Sequence, residues 1–176
     1  TGIKTFIIHA RKAMLGKFTP KQNLNIPPLK YEMVYKLKND FKDLEIIING
    51  GITSVDQTKS HLLNVDGVMI GRSVYHSPYI LADIEKEIFN NNKVLSRQEI
   101  IERFIPYVKQ EMKKGVRMNQ IMRHTLGLFH GQTGSSFWKR YLSENMCVRD
   151  ADVKKIDHIM DKVKFAPETR QVGQID

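Results

Sequence analysis

Three short apolar runs decide what the first ninety residues of this chain can become. Residues 5–8 (TFII), 45–48 (EIII) and 67–70 (GVMI) are rich in β-branched and aromatic side chains and are apolar on both faces. Runs of this kind read as strands of a parallel sheet covered on both sides. Between the first two lies KYEMVYKLKNDF, in which Val34, Leu37 and Phe41 recur at helical spacing after Pro27 and Pro28. A proline pair suits the approach to a helix, where a missing N–H costs little. Between the second and third lies TSVDQTKSHLL, where Thr53 and Asp56 have the spacing of a capping box ahead of Leu62 and Leu63. Strand, helix, strand, helix, strand predicts consecutive βαβ units.

Beyond Asn90-Asn91-Asn92, which reads as a turn, strand signals stop. Residues 97–112 put Ile101, Phe104, Ile105, Val108 and Met112 on one helical face, with Pro106 expected to kink or restart the helix. Residues 117–129 put Met118, Ile121, Met122, Thr125, Leu126 and Phe129 on another. A shorter helix carries Phe137, Trp138, Tyr141 and Leu142, and residues 151–164 place Val153, Ile156, Met160 and Val163 at three- and four-residue spacing. The expected organisation is an α/β segment over 1–90, an all-α bundle over 91–165 and a tail over 166–176 without periodicity.

Three parallel strands cannot close a barrel, because eight βα units take about 250 residues. Left open, their edges would be an aggregation liability. The α/β segment is therefore either a small open sheet or part of a larger one.

Charge narrows the partners. The chain carries a formal +9, and residues 93–164 hold 15 Lys/Arg against 8 Asp/Glu, a surplus of seven. A basic helical region attracts phosphates, so nucleic acid becomes a candidate partner, although cations on helices also serve solubility alone. No apolar run reaches the length of a membrane span, and no secretory signal precedes the first strand. A single cysteine, Cys147, excludes an internal disulfide and reads as a structural residue far from any strand end. Together these point to a soluble cytoplasmic protein, with an organellar home also compatible. They set no oligomeric state.

The chemistry sits at strand ends. Asn49-Gly50-Gly51 follows the second strand and Gly71-Arg72 the third, about one βα unit later. Paired glycines let backbone N–H groups approach an anion, and β/α barrels often build a phosphate site from the loops after their last two strands. Arg72 can add a charge-assisted contact. These glycines also suit plain tight turns. His9 ends the first strand on the same rim, followed by Arg11 and Lys12, and a long loop from Leu15 to Lys30 carries Lys17 and Lys21. Long loops in compact domains are commonly lids or partner contacts.

The segments HARKAMLGKFTPKQN, IPPL with its following Tyr31, IIINGGI, VDGVMIGR and LGLFHGQTG with WKRYLSEN together resemble the tRNA-dihydrouridine synthases. The closest likeness is to the subfamily that modifies the tRNA D-loop at positions 20 and 20a, known as the DusA type. It runs from about Thr5 to about Met146. It implies the C-terminal part of a TIM (β/α)8 barrel followed by a helical bundle. It also implies an FMN-dependent reduction of uridine to dihydrouridine, with NADPH as reductant and tRNA as partner. By that likeness His9 would contact the flavin, while Asn49, Gly50, Gly51, Gly71 and Arg72 would hold the FMN phosphate. Arg11, Lys12 and Lys21 would contact tRNA, with Arg123, Lys139 and Arg140 as phosphate contacts of the helical part. Leu24 stands where relatives often carry a basic residue. The family's catalytic cysteine, a flavin-contacting lysine and the glycine-rich start of the barrel match nothing in this chain. No catalytic residue and no metal ligand is therefore assigned in it, Cys147 is no substitute, and the chain alone is expected to be inactive.

Two other readings remain at this level. One is a phosphate- or FMN-binding barrel oxidoreductase acting on a small molecule, which the glycine turns alone would permit. The other is a non-catalytic RNA-binding module, which the basic helices alone would permit.

Overall fold

A computed structural model of the chain describes residues 2–14, 16–147 and 158. The chain divides into two compact units, Thr1–Val74 with Asp83–Asn92, and Tyr75–Ala82 with the chain from Lys93 onward. The expected helix over 151–164 and the tail that follows it lie outside the described residues.

In the first unit β1 (Thr5–His9), β2 (Glu45–Asn49) and β3 (Gly67–Met69) form a parallel sheet in that order. Phe6 pairs with Ile46 and Ile8 with Ile48, so these four share one face. Helix α2 (Tyr31–Asp40) and helix α3 (Val55–Leu62) accompany that face. Ile46 and Ile48 are fully buried there with Val34 of α2, and Ala10, Ile52 and Val65 complete the core. The opposite face carries Ile7, His9, Ile47, Asn49 and Met69, by register and by the alternation of side chains along a strand. Ile7 is 57% exposed on it. Within this chain β2 is covered on its helix side, whereas β1 is largely exposed.

Two local expectations in this unit are corrected. The helix α3 is capped by Ser54, whose hydroxyl accepts from the Gln57 N–H at 3.2 Å. Thr53 instead binds Gln57 from outside the helix, its N–H donating to Oε1 at 2.8 Å, so the pairing of Thr53 with Asp56 does not form. Phe41 is the C-cap of α2 and is exposed, because its backbone has already left helical geometry. A further bond fastens the sheet: Asp66 accepts from the Ile46 N–H and from Lys38 Nζ, both at 2.8 Å. Those two donors hold its carboxyl below the usual carboxylate range.

After α5 (Ile80–Glu87), the second unit is built on α6 (Arg97–Lys113), α7 (Met118–Met122) and α8 (Ser135–Met146). Ser96 and Glu99 cap α6 reciprocally, the Ser96 N–H donating to Glu99 Oε2 at 2.8 Å. Pro106 lies inside this helix without restarting it. Ile101 and Val108 of α6, Met118, Ile121 and Met122 of α7, and Trp138, Leu142 and Met146 of α8 form one core with Leu128 and Phe129. Trp138 is fully buried, edge-on to Phe129 at 4.8 Å between centroids. Its indole N–H donates to the Thr125 carbonyl at 3.3 Å. Truncating such a residue to Ala costs about 3–5 kcal/mol.

The helix expected over 117–129 ends at Met122 and passes into a 3₁₀ turn, Arg123–Thr125. Its apolar residues are still buried or half-buried, but not on one helix. Two contacts lie beyond this end. Thr125 Oγ1 donates back to the Met122 carbonyl at 2.8 Å. Gly127 runs so close to the chain at His76 that a Cβ there would lie 2.2 Å from the His76 carbonyl oxygen. Cys147 is exposed. It follows the last turn of α8, past the buried Met146.

Candidate cofactor turn and nucleic-acid surface

His9 and Asn49 end neighbouring strands in register, and their side chains meet on the uncovered face. Asn49 Nδ2 donates to the Met69 carbonyl at 2.8 Å, which orients the carboxamide. Its Oδ1 then lies 2.7 Å from His9 Nδ1. An amide oxygen only accepts, so Nδ1 carries the hydrogen and a neutral His9 keeps Nε2 as an acceptor. One carboxamide thus ties together the ends of all three strands.

The glycine turn begins at the next residue. Gly50 has φ +122° and Gly51 φ +69°, backbone conformations that side chains resist. A Cβ on Gly50 would lie 3.1 Å from Leu29 Cδ2 and 3.2 Å from His9 Cε1. One on Gly51 would lie 2.5 Å from Leu29 Cδ1. The Tyr31 hydroxyl donates to the Gly50 carbonyl at 2.9 Å. Gly71, at the start of α4 (Arg72–His76), is different. A Cβ there meets nothing within 4 Å, so the space beside this glycine is open.

The loop after β1 is ordered by its own side chains. Thr19 caps a short helix, α1 (Pro20–Asn23), and Asn23 Oδ1 accepts from the Met14 N–H at 2.9 Å. Arg72 reaches this loop, its Nη1 donating to Asn25 Oδ1 at 2.6 Å and its Nη2 to the Leu24 carbonyl at 3.4 Å. Leu24 therefore takes part through its backbone. Arg11 is half-buried, pairs with Leu29 in an antiparallel bridge, and donates from Nη1 to the carbonyls of Pro27 and Asn25. Arg11 thereby fastens the loop. Lys12 and Lys21 are exposed.

In the second unit Arg123, Lys139 and Arg140 are all exposed. Arg140 lies over the Phe137 ring at 5.9 Å, and Arg123 Nε donates to His124 Nε2 at 3.2 Å. That bond puts the imidazole hydrogen on Nδ1, 3.3 Å from the Tyr75 hydroxyl. Among the described residues no cluster of His, Cys, Asp and Glu is placed to hold a metal ion. No described helix is long and apolar enough to cross a membrane.

Residues 1–164 match the family model described as dihydrouridine synthase (Dus). The chain belongs to the dihydrouridine synthase family. A Haemophilus ducreyi protein named tRNA-dihydrouridine(20/20a) synthase is 46% identical over 156 residues, which are 88% of this chain and 48% of that protein. A Synechocystis protein of the same name is 47% identical over 165 residues, 93% of this chain and 49% of the relative. One from Vibrio parahaemolyticus is 48% identical over 145 residues, 82% and 44% of the two chains. The chain thus spans about half the length of the curated relatives it matches. In this chain Leu29 and Tyr31 shape the glycine turn and Asn25 holds Arg72, three roles that the sequence did not announce. The sequence signal for Tyr31 is its place directly after the IPPL segment; that its phenol is half-buried and needs a hydrogen-bond partner comes from the fold.

Proposed function

We propose that this chain forms part of an FMN-dependent tRNA-dihydrouridine synthase that reduces uridines at positions 20 and 20a of the D-loop with NADPH. In this reading it supplies the last strands of a TIM barrel and a helical tRNA-binding unit. The observation that carries the cofactor is the pair of glycine turns on neighbouring strand ends. Gly50 and Gly51 have positive φ and are crowded from the protein side, while Gly71 opens on free space. Such a cradle suits a phosphate, which backbone N–H groups approach only where no Cβ intervenes.

In this reading Asn49, Gly50, Gly51 and Gly71 hold the FMN phosphate. Arg72, steadied by Asn25, keeps further guanidinium donors for it. His9, oriented by Asn49, offers Nε2 to the flavin. Bound FMN supplies hydride chemistry, which amino-acid side chains do not provide. Lys12 and Lys21 on the loop, and Arg123, Lys139 and Arg140 on the helical unit, neutralise tRNA phosphates. The target uracil must leave its stack to be reduced, and the energy for that comes from such contacts. A small substrate would leave the cations of the helical unit without a task.

The test is to express the complete reading frame that carries this chain, record its visible spectrum, and measure NADPH-dependent dihydrouridine formation on unmodified tRNA. A flavin spectrum with dihydrouridine formed at positions 20 and 20a is expected. A colourless protein that binds RNA without reducing it would overturn the reading, and turnover of a small substrate but not tRNA would replace it.

A further inference from the structure

We propose that Tyr31 is a positioning residue for the phosphate turn: by holding the Gly50 carbonyl it aims the Gly51 N–H at the ligand. This rests on the cofactor reading above and adds to it a residue outside the glycine turns.

The argument begins with the peptide unit. The Gly50–Gly51 bond is trans, as are all peptide bonds among the described residues. In a planar trans peptide the C=O of one residue and the N–H of the next point in opposite directions. The Tyr31 hydroxyl donates to the Gly50 carbonyl at 2.9 Å from the first residue of α2. Fixing that oxygen towards α2 turns the Gly51 N–H away from it. Without the hydroxyl, two glycines in succession can rotate this peptide plane at little cost, because neither has a Cβ to resist.

The phenol is itself held. Its ring lies edge-on to the buried His61 at 4.4 Å between centroids. Burial raises its pKa, with Arg11 opposing as the smaller influence, so the hydroxyl remains a donor at neutral pH. Leu29 closes the turn from the same side, its Cδ1 standing 2.5 Å from where a Gly51 Cβ would be. A hydrogen bond on one carbonyl and a leucine methyl group close beside the next residue both oppose rotation of the peptide. Tyr35 is the natural comparison. It lies one helical turn further along α2, and its hydroxyl meets His61 Nδ1 at 2.6 Å instead of the turn.

The test compares FMN with riboflavin, which has the same ring and ribityl chain but no phosphate. Their dissociation constants are measured by quenching of flavin fluorescence on the full-length protein, for wild type, Tyr31→Phe and Tyr35→Phe. Tyr31→Phe keeps the ring against His61 and removes only the hydroxyl. The expected result is FMN affinity reduced about 5- to 20-fold, the worth of one well-aimed hydrogen bond to an anion, with riboflavin affinity unchanged. Tyr35→Phe is expected to keep the wild-type ratio of the two constants. If wild type prefers FMN and Tyr31→Phe keeps that preference, the positioning role is overturned while the cofactor reading stands. The role is equally overturned if Tyr35→Phe shifts the ratio as far as Tyr31→Phe does. A wild-type protein that binds riboflavin as tightly as FMN overturns the phosphate turn and the role of Tyr31 together.

Discussion

His9 and Asn49 meet across β1 and β2 with Nδ1 2.7 Å from Oδ1, while Asn49 Nδ2 donates to the Met69 carbonyl on β3. The imidazole is therefore oriented by a residue one strand away, and that residue is oriented by a third strand. Asn49→Ala removes both bonds. About 1–2 kcal/mol of stability should be lost, and FMN affinity should fall about tenfold as His9 turns free. Urea unfolding and flavin fluorescence titration measure the two effects, and an unchanged flavin affinity would remove His9 from the site.

Gly71→Ala separates folding from binding. A Cβ there meets no atom of the chain within 4 Å, so the melting temperature should stay within a degree or two of wild type. FMN affinity should fall at least tenfold, because the added methyl group stands where a phosphate would approach the backbone. A variant that binds FMN normally would show that this glycine is only part of a turn.

Gly127→Ala tests the helical unit. Its Cβ would fall 2.2 Å from the His76 carbonyl oxygen, a backbone atom that cannot swing aside. The unit should lose about 2–4 kcal/mol, in the upper range for overpacking. Far-ultraviolet circular dichroism against urea would register the loss as a lower midpoint.

His61 gives the first unit a pH dependence. Burial lowers its pKa, so the folded protein binds its proton less readily than the unfolded chain does. Stability contributed by the neutral imidazole is complete above the unfolded value of about 6.5 and is lost as pH falls from there through the lowered folded value. The urea midpoint should therefore decline with one-proton slope below about pH 6.5. His61→Gln, which cannot titrate, should flatten that part of the curve, and an unaltered curve would assign the decline to other groups.

Lys139→Ala and Arg140→Ala address the nucleic-acid surface. Each side chain is exposed on α8, beyond the buried face carried by Trp138 and Leu142. Each substitution should weaken tRNA binding while lowering the slope of log affinity against log salt by about one. Loss of affinity with an unchanged slope would mean that the residue does not touch a phosphate.

The three strands were legible in the sequence because their β-branched runs are local signals, and so were α2, α6 and α8 from their apolar spacing. The glycines at the strand ends could be read for the same reason: residues 49–51 and 71 follow the runs directly. Tertiary structure decided what depends on distant partners. Periodicity carried a helix through residue 129, but in the fold it ends at Met122, and the chain beyond passes so close to His76 at Gly127 that no side chain fits there. Sequence showed Arg11 and Arg72 only as cations on a rim. The folded loop brought the carbonyls of Leu24, Asn25 and Pro27 and the Asn25 side chain to their guanidinium groups. Tyr31 was visible as an aromatic residue after IPPL, yet its task exists only because Gly50, nineteen positions later, turns its carbonyl back towards α2. Side-chain pattern is written along the chain, whereas the direction of a hydrogen bond between segments is set only when they pack.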